Sequence, residues 1–513
     1  MTELSGRIWF SPLVFDFSLF DFLRMNLETA IAAMNAEARG VPAEALTAVI
    51  AGFAIDSRQL SAGELFFALS PPDYQANGFN GDFNDAHQYI PQALAEGALA
   101  VVARADRVAA DDSLTPYRDR LLLVEDCIAA LQRLAGWVYQ QWQRPVVGIT
   151  GSAGKTTTKE LTAHILSQSG RRVLRNEKNY NNGLGHPLTV LRLVTGGNRP
   201  ADYDMAVLEM GMSTTASEIK RLCHITPPDI GVELLVAPVH LEYFGTIERI
   251  ADFKAELVEN MKPGATAILN ADDPLVAAMH TRHDGPNLTF GLAQTADVTA
   301  QDLDNTLFGV NRFTLVTPAG RAAVEMPLPG RHNLMNALAA AAVAHQLEMS
   351  PAAIAAALHT VKPPPMRGEI LRFTEGFTVI DDSYNCNPRS LLSMVRTLVE
   401  GGAEAQRCLV VAGEMLELGP EAEAIHYAAG AEIADAGVDI LWGVRGRAEN
   451  LLAGAQAAGL HETRYFAGSE EAAVALVKEL RAGDLVLIKG SRGVRTDRVV
   501  KAVKDKFSLI SEL

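Results

Sequence analysis

Three features of the chain predict an α/β protein of three domains. A strand, glycine loop and helix follow one another over 145–170, apolar runs of strand length alternate with helical segments on both sides of that unit, and Lys362-Pro363-Pro364-Pro365 is a stiff segment that no helix can continue through. The boundaries that follow are a first α/β domain over 25–142, a central phosphate-loop (P-loop) ATPase domain built on a parallel sheet over 143–365, and a Rossmann-like, doubly wound domain over 366–513. At 513 residues the chain has material for roughly three cores of ~150 residues each.

In the first region the runs Leu65 to Leu69 and Ala98 to Val102 read as strands, and the Gly/Asn/Asp-rich stretch from Pro71 to Asp85 reads as one long loop. Centrally, Val146, Val147 and Ile149 form a buried-strand run, and Leu161 and Ile165 lie four apart on a helix that ends near Gly170. Met205 to Leu208 and Ala267 to Leu269 continue the pattern, which suits a parallel sheet covered on both faces. After the prolines, strands are expected at Phe377 to Ile380, Cys408 to Val411, Ile440 to Trp442 and Leu485 to Ile488.

Composition excludes several classes. The formal charge of −16 (45 basic against 61 acidic residues), without a long basic run, argues against a nucleic-acid partner. No apolar run reaches the ~20 residues needed to span a bilayer. The aromatic opening WFSPLVFDFSLFDFL is interrupted by Asp16 and Asp21, so it reads as a non-secretory extension, with Met25 as an alternative start. Four widely spaced cysteines suit reduced thiols in a cytoplasmic protein.

The chemistry begins at Thr150-Gly151-Ser152-Ala153-Gly154-Lys155-Thr156-Thr157. Glycines let backbone N–H groups converge on a phosphate, the helix N-terminus adds positive potential, Lys155 supplies a point charge and the Thr156 hydroxyl can ligate Mg²⁺. ATP is the expected nucleotide. Ile149 stands where the strict phosphate-loop pattern has its first glycine, and a ligand-free glycine turn is the bland alternative. Glu209 closes a strand beside this loop, where a carboxylate can hold Mg²⁺ through oxygen; alone it would read as a solvated glutamate. His240 by itself would be a structural histidine, Lys254 an exposed helix lysine, Asn336 a helix-surface amide and Arg367 a linker charge.

Ordered segments change those weights. The loop GITGSAGKTTTKE is followed by NYNNGLGHPLT from Asn179, LEMG from Leu208, HLEYFG from His240, KAEL from Lys254 and NADDP from Asn270. GRHNLMNALAA from Gly330, DDSYNCNP from Asp381, AGEMLELG from Ala412 and KGSRG from Lys489 complete the series. Together with Asp56-Ser57-Arg58 they give a chain that resembles the Mur ligase superfamily over most of its length.

The resemblance implies an ADP-forming amide ligase that joins D-alanyl-D-alanine to a UDP-N-acetylmuramoyl-tripeptide, acting as a cytoplasmic monomer. It implies Lys155, Glu209, His240 and Lys254 as catalytic, and Thr156, Glu209, His240 and Lys254 as holding Mg²⁺, two ions in all, with Lys254 carbamylated. For the nucleotide it adds Asn336 at the adenine, Asp382 at the ribose with Tyr384 nearby, and Arg367 toward the γ-phosphate. For the UDP-linked substrate it adds Ser57, Arg58, Asn181, Asn182 and Asn385. Leu235-Val236-Ala237 before His240, Glu414 and the stretch from Pro71 to His87 depart from the family pattern. Another ligase of the superfamily, and a P-loop protein that only binds nucleotide, are the competing readings.

Overall fold

The computed structural model describes residues 25–510 apart from 178, 213–216, 239–240, 305–307 and 403–404. These form two compact units, one of residues 25–73, 83–143 and 190–203, the other of 74–82, 144–189 and 204–510. The opening aromatic segment lies outside the described residues, as does His240.

In the first unit the strands run in the order Glu37–Ala38, Leu121–Val124, Ala100–Arg104, Leu65–Phe67, Phe53–Ala54, parallel except for the first pair. Leu65, Phe66 and Phe67 are all buried, as expected for a strand covered on both faces. The stretch read as one loop is shorter than expected, because Pro71–Ala76 is helical. Prolines in a first turn need no N–H partner, and the buried Asp73 carboxylate accepts from the Ser70 backbone N–H at 2.8 Å and the Ser70 hydroxyl at 2.6 Å. Pro71 and Pro72, read as part of that loop, are therefore a helix start.

In the second unit the central sheet is parallel throughout, in the order Asn287–Phe290, Thr266–Asn270, Ile230–Glu233, Val146–Thr150, Met205–Glu209, Val173–Arg175. Its two faces are distinct. Val147, Ile149 and Val232 pack with Leu161 and Ile165 of the Lys155–Gln168 helix and with Leu334 and Leu338 of the Arg331–Gln346 helix. On the other face lies the Ile247–Glu259 helix, so close that a Cβ at Gly148 would sit 3.0 Å from Leu257 Cδ1. A run of small residues, Ala339 to Ala342, is fully buried in the Arg331–Gln346 helix and lets it approach the loop helix closely.

Thr299–Asp304, Asn311–Thr317 and Gly320–Met326 form an antiparallel sheet that shares this core through Phe313, Leu315 and Val324. Beyond the prolines, six strands run in the order Glu369–Arg372, Thr378–Asp382, Asp484–Lys489, Arg407–Gly413, Ile440–Val444, Thr463–Phe466. All are parallel except the first pair, and cores on both faces give the expected doubly wound layering. No helix among the described residues is long and apolar enough to cross a membrane.

Candidate active site

The glycine loop leaves its strand at Thr150 and enters the Lys155–Gln168 helix through Gly154, which has φ +86 and no side-chain cap. That conformation is left-handed, and a Cβ would fall 2.3 Å from Asn336 Oδ1, so this position requires glycine on two counts. The loop is tied to the next strand's exit: Ser152 N–H donates to Leu235 O at 2.8 Å, and Ser152 Oγ donates to Ala237 O at 3.1 Å and accepts from Ala237 N–H at 2.9 Å. Backbone N–H groups of the uncapped first turn are therefore presented at a rigid helix start, the arrangement that binds anions. Lys155 folds back over the loop, its Nζ donating to Gly151 O at 2.7 Å. Its dense surroundings lower its pKa, Glu209 opposes that shift, and Arg367 adds to it.

Glu209, buried at the end of its strand, is held from all sides. Thr156 Oγ1 donates to Oε2 and Asn181 Nδ2 to Oε1, each at 2.7 Å. Its backbone N–H donates to Asn176 Oδ1 at 2.7 Å, and Asn176 Nδ2 donates to Tyr180 O at 2.8 Å. The donors on the carboxylate are neutral, so its negative charge stays available, and a hydroxyl and a carboxylate at hydrogen-bond distance are two hard oxygen donors of the kind Mg²⁺ takes. These residues fit Mg²⁺. No group of three or more His, Cys, Asp or Glu among the described residues could hold a metal, so phosphate oxygens and water would complete the shell.

The structure corrects the default reading of two helix residues. Lys254 is buried near the C-terminal half of Ile247–Glu259 and is not an exposed lysine. Asn336 is buried too, and its Oδ1 accepts from Thr158 Oγ1 at 3.3 Å. Lys254 shares its surroundings with Lys155 and with the buried Glu233; burial pushes the lysine's pKa down and the glutamate's up. A lysine whose neutral amine is favoured is the form that adds CO₂, and a glutamate held toward its protonated form is a donor and not a second anion, so the residues present fit a carbamate.

Beyond the prolines, Lys489 Nζ pairs with Asp382 and also donates to Asn385 O at 2.9 Å. The Arg367 guanidinium lies 4.2 Å from the centre of the Tyr384 ring, with Arg492 at 5.7 Å. Asn182 is engaged locally, its Oδ1 accepting from the N–H groups of Leu184 and Gly185, and Asn385 Oδ1 accepts from Cys386 N–H. Ser57 and Arg58 belong to the first unit, where Arg58 pairs with Asp56. Sequence reasoning missed Asn176, Glu233 and Lys489. A lone charge within Ile230-Gly231-Val232-Glu233-Leu234-Leu235-Val236 was the available signal for the second of these.

Residues 149–344 match the Mur ligase middle domain, and residues 366–492 match the Mur ligase, glutamate ligase domain. A relative from Escherichia coli K12 named UDP-N-acetylmuramoyl-tripeptide–D-alanyl-D-alanine ligase is 36% identical over 460 residues, 88% of this chain and 93% of the relative. The chain belongs to the Mur ligase family. Among solved Mur ligases, MurF from Acinetobacter baumannii superposes with a TM-score of 0.81 at 27% identity, covering 94% of this chain and 99% of that one. MurF from Thermotoga maritima in complex with ADP gives 0.74 at 26% identity, covering 89% and 98%. Binding of adenine nucleotide by a Mur ligase of this fold agrees with the loop described above.

Proposed function

We propose that the chain is an ATP-dependent ligase that joins D-alanyl-D-alanine to UDP-N-acetylmuramoyl-tripeptide, yielding the pentapeptide precursor, ADP and phosphate. The observation that carries it is the Thr156–Glu209–Asn181 chain at the mouth of the glycine loop, in a chain that aligns with 93% of a ligase of that name.

Lys155 and the N–H groups of the first helical turn hold the β- and γ-phosphates and offset the charge that develops as the γ-phosphoryl group moves. The tripeptide carboxylate attacks it to give an acyl phosphate. The dipeptide amine then attacks the acyl carbon, and phosphate leaves with the C–O bond. Thr156 and Glu209 would hold one Mg²⁺, which would supply neutralisation of phosphate charge; a second would depend on His240. Asn336 closes the loop's far side toward the adenine, Asp382 and Tyr384 face the ribose, and Arg367 reaches the γ-phosphate. Ser57, Arg58, Asn181, Asn182 and Asn385 contact the UDP-linked substrate. Lys254, as the carbamate that the resemblance implies, would supply a further anion toward Mg²⁺. Four free, buried cysteines suit action in the cytoplasm, and the family resemblance favours a monomer.

The test is phosphate release from ATP with each acceptor alone and with both. Release that needs UDP-linked tripeptide and D-alanyl-D-alanine together is expected; release indifferent to both contradicts the ligase reading.

A further inference from the structure

Glu209 lies past the end of the edge strand beside it. The pairing of Val173–Arg175 with Met205–Glu209 stops at Arg175 opposite Val207, so among the described residues Glu209 has no strand partner on that side. On the other side, Met210 N–H donates to Ile149 O at 2.9 Å. Strand alternation therefore turns the Glu209 N–H and C=O toward the side where the ladder has stopped. The Asn176 side chain takes the place of the missing strand. Its Oδ1 accepts from Glu209 N–H at 2.7 Å and its Nδ2 donates to Glu209 O at 3.2 Å, the same donor and acceptor that a peptide group presents.

Asn176 also gathers the rest of the site. Its Nδ2 donates to Tyr180 O at 2.8 Å, next to Asn181, whose own Nδ2 donates to Glu209 Oε1. Asn181 O accepts from Gly211 N–H at 2.7 Å, and a Cβ at Gly211 would lie 2.9 Å from Asn181 Cγ, so these two segments touch. From the loop helix comes Lys159, fully buried, whose Nζ donates to Asn176 O at 2.6 Å and pairs with Glu160 at 2.9 Å. Lys159 follows Thr156 by three residues, on the same helix face. That face fixes the Glu209 carboxylate through Thr156 and the Glu209 backbone through Asn176.

We propose that Asn176, set in place by Lys159, is the positioning residue for the Mg²⁺-holding carboxylate of Glu209. Asn176 acts through Glu209, by fixing the strand end from which that carboxylate projects. Mg²⁺ demands near-octahedral geometry, and the partners that orient a metal ligand are worth about 10- to 100-fold in metal affinity. The proposal rests on the reading of Glu209 as a Mg²⁺ ligand.

The experiment is a titration of Mn²⁺ into the full-length protein loaded with ADP, followed by electron paramagnetic resonance, beside calorimetry of ADP without metal. Asn176→Ala should bind Mn²⁺ about 10- to 100-fold more weakly. Metal-free ADP affinity should hold, since the bonds of Asn176 go to Glu209, Tyr180 and Lys159 and not to the glycine loop. Unchanged Mn²⁺ affinity in folded Asn176→Ala, or equal losses of Mn²⁺ and metal-free ADP affinity, overturns the proposal. Lys159→Met leaves the amide bonds of Asn176 in place and should weaken Mn²⁺ in the same direction by less. If Asn176→Ala does not fold, that variant decides, and wild-type Mn²⁺ affinity in it is the refuting result. Glu209→Gln is the reference. If it keeps wild-type Mn²⁺ affinity, the reading of Glu209 fails and the proposal with it; if it loses Mn²⁺ while Asn176→Ala does not, the reading stands and the proposal alone falls.

Discussion

Gly154→Ala separates backbone strain from crowding at the nucleotide loop. At φ +86 an alanine pays roughly 1–2 kcal/mol for the left-handed conformation. Its Cβ also meets Asn336 Oδ1 at 2.3 Å, so the amide must swing away and give up the Thr158 hydroxyl, a further loss of about 1 kcal/mol. Gly170 supplies the control: it has φ +87 at the far end of the same helix, and a Cβ there meets nothing within 4 Å. Gly170→Ala should therefore lose about 1–2 kcal/mol of stability from strain alone and leave nucleotide affinity untouched. Gly154→Ala should lose more, and displacement of the helix start should weaken ADP by about 10- to 100-fold, equivalent to about 1.4–2.7 kcal/mol. Denaturant titrations and calorimetry with Mg²⁺-ADP read both quantities. Adding Asn336→Ala to Gly154→Ala should restore part of the stability by removing the clash. Wild-type stability and ADP affinity in Gly154→Ala would refute the reasoning.

Glu209→Gln keeps the shape but removes the charge, so the gain in nucleotide affinity on adding Mg²⁺ should shrink by about tenfold or more; an unchanged Mg²⁺ dependence in paired titrations contradicts the assignment. Lys489→Ala leaves the half-buried Asp382 carboxylate without its cation and should destabilise the segment after the prolines by about 1–3 kcal/mol, read from the denaturant midpoint of its transition. An unshifted midpoint counts against the pair. His186 is fully buried, its Nε2 within 2.7 Å of Thr226 Oγ1, and burial depresses its pKa to about 3. The unfolded chain therefore binds a proton that the folded chain refuses. Stability from this group is complete above the unfolded value of 6.5 and falls by up to about 1.4 kcal/mol per pH unit as pH drops toward 3. His186→Gln should flatten that slope in pH-dependent melts; an equal slope sinks the idea.

Period and loop chemistry made the layered fold legible. Val146 to Thr150, the helix after it and the strands beyond the prolines all announce themselves through apolar runs with turn residues between them. The Pro71–Ala76 helix does not, because its start depends on Asp73, whose carboxylate is fixed partly by Arg104, 31 residues away. In the candidate site, Lys155, Thr156 and Glu209 could be placed because a glycine loop and a strand end lie side by side in any parallel sheet. Lys254 and Asn336 could not be recognised as buried from periodicity, since their burial is created by the sheet face and the loop helix they pack against. Glu233 was hidden for a related reason: its meaning comes from which strand lies next to its own, and that order is absent from local sequence.

The most direct measurement of the central claim is formation of UDP-N-acetylmuramoyl-pentapeptide by the purified chain, followed by mass spectrometry with ATP, Mg²⁺, UDP-linked tripeptide and D-alanyl-D-alanine. Product should accumulate in step with ADP, vanish when either acceptor is omitted, and fall sharply in Lys155→Ala. ATP turnover without any pentapeptide product would contradict the account.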